Sequence, residues 1–472
     1  MRLQTWLIVL FAVCFLGCQF DRRPPTENIF NSRDLEEIRA EGKLRALIAY
    51  SATSYFLYRG QPMGYEYELL KRLADHLGVE LELRVSRDLD DLLNDLKKGD
   101  VDLVAHGLAI TSERKKEVAF SDYLFLTKQV LVQKKPANWR QLTLDEIRDS
   151  LVMDPVELIG DTVSVRKNSS YLERLINLSK EIGGEIHIDT LKGKWSTDEI
   201  IRWVVEGKIK YTVADRNLAR INASFYPILD VSVPVSFSQR IAWALHPDAK
   251  ELLEATNQWI EEEKDGLDYY VLYNKYFKNE RGFKKRAKSA YYSLNKGQIS
   301  KFDSLIRIHA RSLGWDWRLL ASLIYQESKF DPGAVSWSGA KGLMQLMPKT
   351  AEEMGVSNVE DPAAVLLGGT QYLKHLHRQF EEVGDSIQRI KFAMAAYNCG
   401  YQHVRDAQKL AIMQGRDPKK WDNHVDEMIL ALSHPQNYNL EMIAHGYVRG
   451  IEPYNYVNQI FDRYRHYTSF IH

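Results

Sequence analysis

Apolar and polar positions follow two different rhythms along this chain. Between residues 43 and 215, short aliphatic and β-branched runs recur: "KLRALIAY", "ELELRVS", "DLVAHGLAI", "QVLVQKK", "DTVSVRK" and "YTVAD". They read as strands, and between them "YEYELLKRLADHLG" and "LDDLLNDLKKG" carry the three-to-four-residue period of helices. This alternation predicts an α/β region with largely parallel strands. From Asp248 the helical period takes over in "AKELLEATNQWIEEEKDG", and "KNERGFKKRAKS" then reads as a basic, solvated linker. Beyond residue 290 helical periodicity alone recurs, which predicts an all-α region.

The N-terminus has a different character. One Arg precedes an apolar run from Trp6 to Gly17, shorter than the roughly 20 residues of a membrane span, so residues 1–17 read as a secretory signal. Phe15-Leu16-Gly17-Cys18 resembles the lipobox of bacterial lipoproteins, with Phe15 where Leu is usual. The resemblance implies cleavage before Cys18 and acylation of that residue. Gln19 in place of an Asp retention signal implies an outer-membrane anchor facing the periplasm. Residues 18–34, polar and with a Pro pair, read as the tether. Loss of the signal would remove Cys14 and leave Cys399 alone beside the lipidated Cys18. No intramolecular disulfide is expected, and Cys399 reads as a small buried hydrophobe.

At 472 residues the chain exceeds a single core, and 63 basic residues balance 63 acidic ones, so charge gives no footing for a nucleic-acid partner. Most of the 25 Tyr and 10 Trp are expected in cores. No H-E-x-x-H, paired C-x-x-C, phosphate loop or G-x-S-x-G is present, so neither a metal nor any cofactor is expected.

Glu327 interrupts this picture. In "WDWRLLASLIYQES", Leu319, Leu320, Leu323 and Ile324 form an apolar stripe, and Glu327 lies four residues after Leu323 and three after Ile324, on the same face. Asp331-Pro332 is expected to end the helix. A carboxyl on an apolar face near a helix C-terminus holds its proton more tightly, as a general acid working near neutral pH requires.

The stretch "ESKFDPGAVSWSGAKGLMQLMPKTAEEMG", with "AYNCG" at 396–400 and "EPYNYV" at 452–457, resembles the soluble lytic transglycosylases. The resemblance implies a lysozyme-like, all-helical domain over residues 293–472. It also implies that Glu327, as lone acid and then base, cuts between N-acetylmuramic acid and N-acetylglucosamine. The substrate's acetamido group assists, and the product is a 1,6-anhydro end. By matched position it implies substrate-binding roles for Ser336, Gln345, Met347, Tyr397 and Tyr456, with Gly342 letting the backbone come close. Pro453 stands where many relatives have Thr and takes no role, and Asp331 takes none either.

Upstream, "GYEYELLKRLADHLGVELE", "GDVDLVAHGLAITSERKKEVAFSDYLF" and "GKIKYTVADRNLA" resemble the periplasmic solute-binding family for polar amino acids over residues 35–278. This implies two lobes joined by crossing strands, near 129–134 and 231–236, around a ligand cleft. Arg114 would fork onto a ligand carboxylate and Asp215 would hold an ammonium, with Ser169 and Ser170 at a helix start. Ala109 replaces a common Thr hydroxyl, and Asn168 a loop Gly. A small peptide or amino acid is the implied ligand. The expected architecture is multidomain: the two-lobed α/β domain, a linker over 279–292, then the lysozyme-like domain. Its expected function is regulated glycan cleavage, with peptidoglycan as partner. The second reading is a non-catalytic sensor that grips glycan and solute.

Overall fold

The computed structural model describes residues 33–86, 92–193, 195–294 and 297–471. The signal, Cys18 and nearly all of the tether lie outside the described residues. Among those described, no helix is long and apolar enough to cross a membrane.

The first lobe is built on β1 (Lys43–Ala49), a hairpin of β2 (Phe56–Tyr58) and β3 (Gln61–Met63), α1 (Tyr65–Leu77), β4 (Glu80–Ser86), β5 (Leu103–Ala109), β6 (Ala119–Phe120) and β7 (Phe125–Thr127). Lys128 then carries the chain into the second lobe. That lobe holds β8 (Gln129–Lys134), β9 (Thr162–Arg166), α2 (Ser170–Glu181), β10 (His187–Leu191), β11 (Thr212–Asp215), α3 (Arg216–Phe225) and β12 (Leu229–Asp230). The chain returns through residues 236–238 to β13 (Gln239–Leu245) in the first lobe.

All six expected strands form, but the sheets are mixed. In the first lobe the order is β4-β1-β5-β13-β6, with β7 also on β13. β1 runs parallel to β4 and β5, while β13 runs antiparallel to β5. β8 is antiparallel to both β11 and β12. The expectation of largely parallel strands fails: β13 returns to the first-lobe sheet antiparallel to β5, β6 and β7, and β8 lies antiparallel to β11 and β12. The crossings also sit elsewhere than expected. β8 belongs wholly to the second lobe, so the junctions are Lys128 and residues 236–238.

α1 shows why its sequence folds as it does. Leu69, Leu70, Leu73, Ala74 and Leu77 are buried on one face, and Gly78 ends the helix at φ 72°. The basic run also departs from expectation: residues 280–287 form a helix with Phe283 and Arg286 buried. After α4 (Lys250–Asp265) and α5 (Glu280–Ala287), the C-terminal region is helical. It includes α6 (Trp317–Ser328), α7 (Ser386–Cys399) and α8 (Ile451–Phe470).

One continuous apolar core runs from the first lobe into the helical domain, including Phe56, Trp243, Tyr276, Leu320 and Tyr467, whereas the second lobe packs around separate clusters. The β2–β3 hairpin is the junction. The Tyr467 hydroxyl donates to the Gly60 carbonyl at 2.8 Å, Tyr55 pairs with His466, and Leu57 N–H donates to Ser293 Oγ at 2.8 Å. The first lobe and the helical domain therefore share one core, while a small cluster of Ala52, Ile221 and Phe283, with Ala52 N–H donating to Asp198 Oδ2 at 3.2 Å, joins the second lobe to the first.

Candidate active site and ligand cleft

The stripe on α6 is buried as its spacing predicts: Leu319, Leu320, Leu323 and Ile324 are all enclosed. At roughly 2 kcal/mol for each buried aliphatic side chain, this packing is ample to fix the face on which Glu327 sits. The helix ends earlier than Asp331-Pro332 would require. Lys329 and Phe330 both take positive φ, 51° and 62°, and Lys329 forms the left-handed cap. Two consecutive non-glycine residues in this region are strained, and the strain lies directly after the acid.

Burial raises the proton affinity of the Glu327 carboxyl to about pH 7, against the opposing effect of the Tyr456 hydroxyl, which donates to Oε1. Tyr456 comes from α8 and is buried. Burial, and after it the nearby Glu327 charge, pushes the Tyr397 hydroxyl of α7 well above its ordinary pKa, and that hydroxyl donates to the Met344 carbonyl at 2.7 Å. Three elements thus bring Glu327, Tyr397 and Tyr456 together.

The loop after α6 holds the other expected residues. Ser336 Oγ accepts from Ala340 N–H at 2.9 Å and pairs with Ser338 Oγ at 2.9 Å, so its hydroxyl is bonded within its own turn. Gln345 adopts φ 48°, and its Nε2 donates to the Ala334 and Gly342 carbonyls, both at 2.9 Å. Gly342 has φ 79°, and a Cβ there would stand 2.2 Å from the Val359 carbonyl, so only glycine fits. Met347 is exposed and precedes the short helix Pro348–Glu353. Asp331 accepts from Gly333 N–H at 3.0 Å, a bond that keeps one carboxyl oxygen in its own turn.

Arg463 carries no signal in the local sequence. Its guanidinium lies 4.3 Å from the Tyr325 ring centroid and donates to the Ser322 carbonyl and Gln326 Oε1, each at 3.1 Å, tying α8 to the acid's helix. Cys399 is half-buried rather than fully enclosed, and burial pushes its thiol up to about 12.

Arg114, Ser169, Ser170 and Asp215 line one cavity of about 420 Å³ between the lobes. Arg114 Nη1 donates to the carbonyl of Ala109 at 3.1 Å. Asp215 accepts from the Tyr171 hydroxyl at 3.2 Å, and burial raises its carboxyl to about 6. Ser169 Oγ caps α2, accepting from Leu172 N–H at 3.4 Å, while Ser170 Oγ receives Gln129 Nε2 at 3.2 Å. Asn168 takes φ 59°, the conformation its usual Gly counterpart would adopt and one that Asn tolerates. Arg166, Tyr171, Glu173 and His106 also face this cavity. They escaped the sequence reading because only tertiary folding brings them to the same wall.

Residues 35–279 match the bacterial extracellular solute-binding proteins, family 3, and residues 304–419 match the Transglycosylase SLT domain. These two matches define a class: a solute-binding domain joined in one chain to a lytic transglycosylase domain. A membrane-bound lytic murein transglycosylase F from Desulfosudis oleivorans is 34% identical, over 92% of this chain and 91% of that one. One from Pseudomonas fluorescens is 32% identical, over 97% and 90%. The chain belongs to the membrane-bound lytic murein transglycosylase F family. A solved ancestral arginine-binding protein, bound to arginine, is 25% identical and covers 50% of this chain and 98% of its own, with a TM-score of 0.42.

Proposed function

We infer that this chain is a peptidoglycan lytic transglycosylase in which Glu327 is the sole acid–base group. The observation that carries the reading is the Glu327 carboxyl itself, desolvated until it holds its proton to about pH 7 and bonded by Tyr456. A protonated Glu327 gives its hydrogen to the glycosidic oxygen between N-acetylmuramic acid and N-acetylglucosamine. The substrate's acetamido carbonyl stabilises the cation left at C1. The carboxylate so formed then removes the proton of the muramoyl O6 hydroxyl, which closes on C1 to give the 1,6-anhydro end. A retaining or inverting hydrolase would need a second carboxylate across the scissile bond. Here the influences on Glu327 are burial and a tyrosine hydroxyl.

Digestion of purified sacculi by the full chain tests this reading. Release of fragments whose muramoyl ends have lost water is the expected result, and Glu327→Gln lowers the rate by about 10²–10⁴-fold. Reducing muramoyl ends would mean a hydrolase, and binding without release would mean a sensor.

The cleft around Arg114, Asp215, Ser169 and Ser170 takes a cell-wall peptide or amino acid and regulates cleavage. Its support is the pairing of a guanidinium with a desolvated carboxyl, which suits a ligand bearing both charges. Acylation of Cys18 places the protein on the periplasmic face of the outer membrane. Cys18→Ala is accordingly expected to move the chain from the outer-membrane fraction to the soluble periplasm, and its retention there would refute the anchor.

A further inference from the structure

A second cavity, of about 480 Å³, lies at the hinge. It shares no lining residue with the ligand cleft, although Asp215 lines one and Arg216 the other. Its walls come from both lobes and both crossings. Lys128 stands at the first junction and Ser238 at the second, α3 of the second lobe supplies Arg216 and Arg220, and Lys278 comes from the segment after α4.

Charge is the distinguishing feature of this hollow. Lys128, Arg216, Arg220 and Lys278 face it, against the single acid Glu280. Among the described residues, none of these four cations takes part in an ion pair. Like charges gathered on one concave wall repel one another, and their joint potential attracts a multiply charged counter-ion. Arg216 and Arg220 are four apart on α3 and so share a face, which offers two planar guanidinium forks of the kind that match oxyanion edges. The remaining wall mixes apolar Leu126, Tyr273 and Phe277 with polar Thr127 and Asn217, and Phe237 beside Ser238 is 85% exposed.

We propose that this hinge hollow is a binding site for a phosphate group, held by Arg216 and Arg220 from the second lobe with Lys128 and Lys278. Free phosphate and the headgroup of an anionic phospholipid share this chemistry. Because the walls belong to both lobes, occupancy favours whichever lobe arrangement brings the cations closest, so the site is linked to the ligand cleft through the hinge.

The test uses the full chain and a charge-reversed variant, Arg220→Glu with Lys278→Glu. Thermal unfolding is followed with inorganic phosphate and with chloride at equal ionic strength. Sedimentation is followed with phosphatidylglycerol and with phosphatidylcholine vesicles. A free-phosphate site predicts a phosphate-specific rise in Tm that the variant loses. A headgroup site predicts at least a tenfold loss of phosphatidylglycerol binding in the variant, with phosphatidylcholine binding unchanged. Either pattern supports the proposal and identifies the source. If neither anion distinguishes the native chain from the variant, the proposal is overturned. Should the reversed variant fold poorly, Arg220→Gln with Lys278→Gln removes the charge and carries the same comparison.

Discussion

Glu327 illustrates how much one side chain owes to its neighbours. Its ordinary carboxyl titrates near 4.5, and burial moves it to about 7 while Tyr456 pulls it back down. In the proposed mechanism cleavage needs the protonated form, so activity is expected to be retained below this value and to fall as pH rises through about 7. Removing the Tyr456 hydroxyl removes a bond that favours the carboxylate. Tyr456→Phe is therefore expected to move the alkaline limb of the rate profile upward while lowering the maximal rate. A rate-against-pH series on both proteins decides the matter, and a limb that stays put or moves down would exclude Glu327 as the titrating acid. The sequence marked Glu327 through its three-and-four spacing from Ile324 and Leu323. Arg463 was illegible, because nothing in "FDRYRHY" says which turn of α8 meets α6.

At the scale of elements, the loop from 329 to 347 is a built object and not slack chain. Lys329 and Phe330 reverse the backbone, Gln345 ties the loop to itself, and Gly342 passes against Val359 where no Cβ fits. Gly342→Ala combines positive φ with a backbone clash, and about 2–4 kcal/mol of destabilisation is expected in chemical unfolding. A change below 0.5 kcal/mol would show that the loop yields freely. The strands were legible here because each is a compact apolar run. β13 and the β2–β3 hairpin escaped notice for different reasons: "QRIAWAL" sits outside the alternating region, and a three-residue strand leaves no period to read. Mixed pairing was equally hidden, since a strand's direction is set by partners far away in sequence, as β13 and β5 are.

Over the whole molecule, the shared core makes the first lobe and the helical domain a single unit, with the β2–β3 hairpin as their contact. Gly60 sits where a Cβ would meet Tyr467, Phe330 and Tyr325 within 3.1 Å, and Tyr325 and Phe330 flank Glu327 in sequence. With the native chain, an amino acid or peptide found to bind the cleft is expected to change the rate of sacculus digestion. Arg114→Ala is expected to abolish that change and weaken binding by at least tenfold, with the ligand-free rate unaltered. Intact binding and an intact response in that variant would remove the cleft from regulation.

Local patterning therefore predicted the six strands and the apolar helix face that carries Glu327, since periodicity and turn residues act over a few positions. It also settled the division into an α/β and a helical part. Tertiary structure alone decided which hydroxyl reaches Glu327, where the lobes cross, and which lobe shares a core with the catalytic helices. Those outcomes depend on contacts between residues as far apart as Gly60 and Tyr467, and no pattern within a short window encodes them.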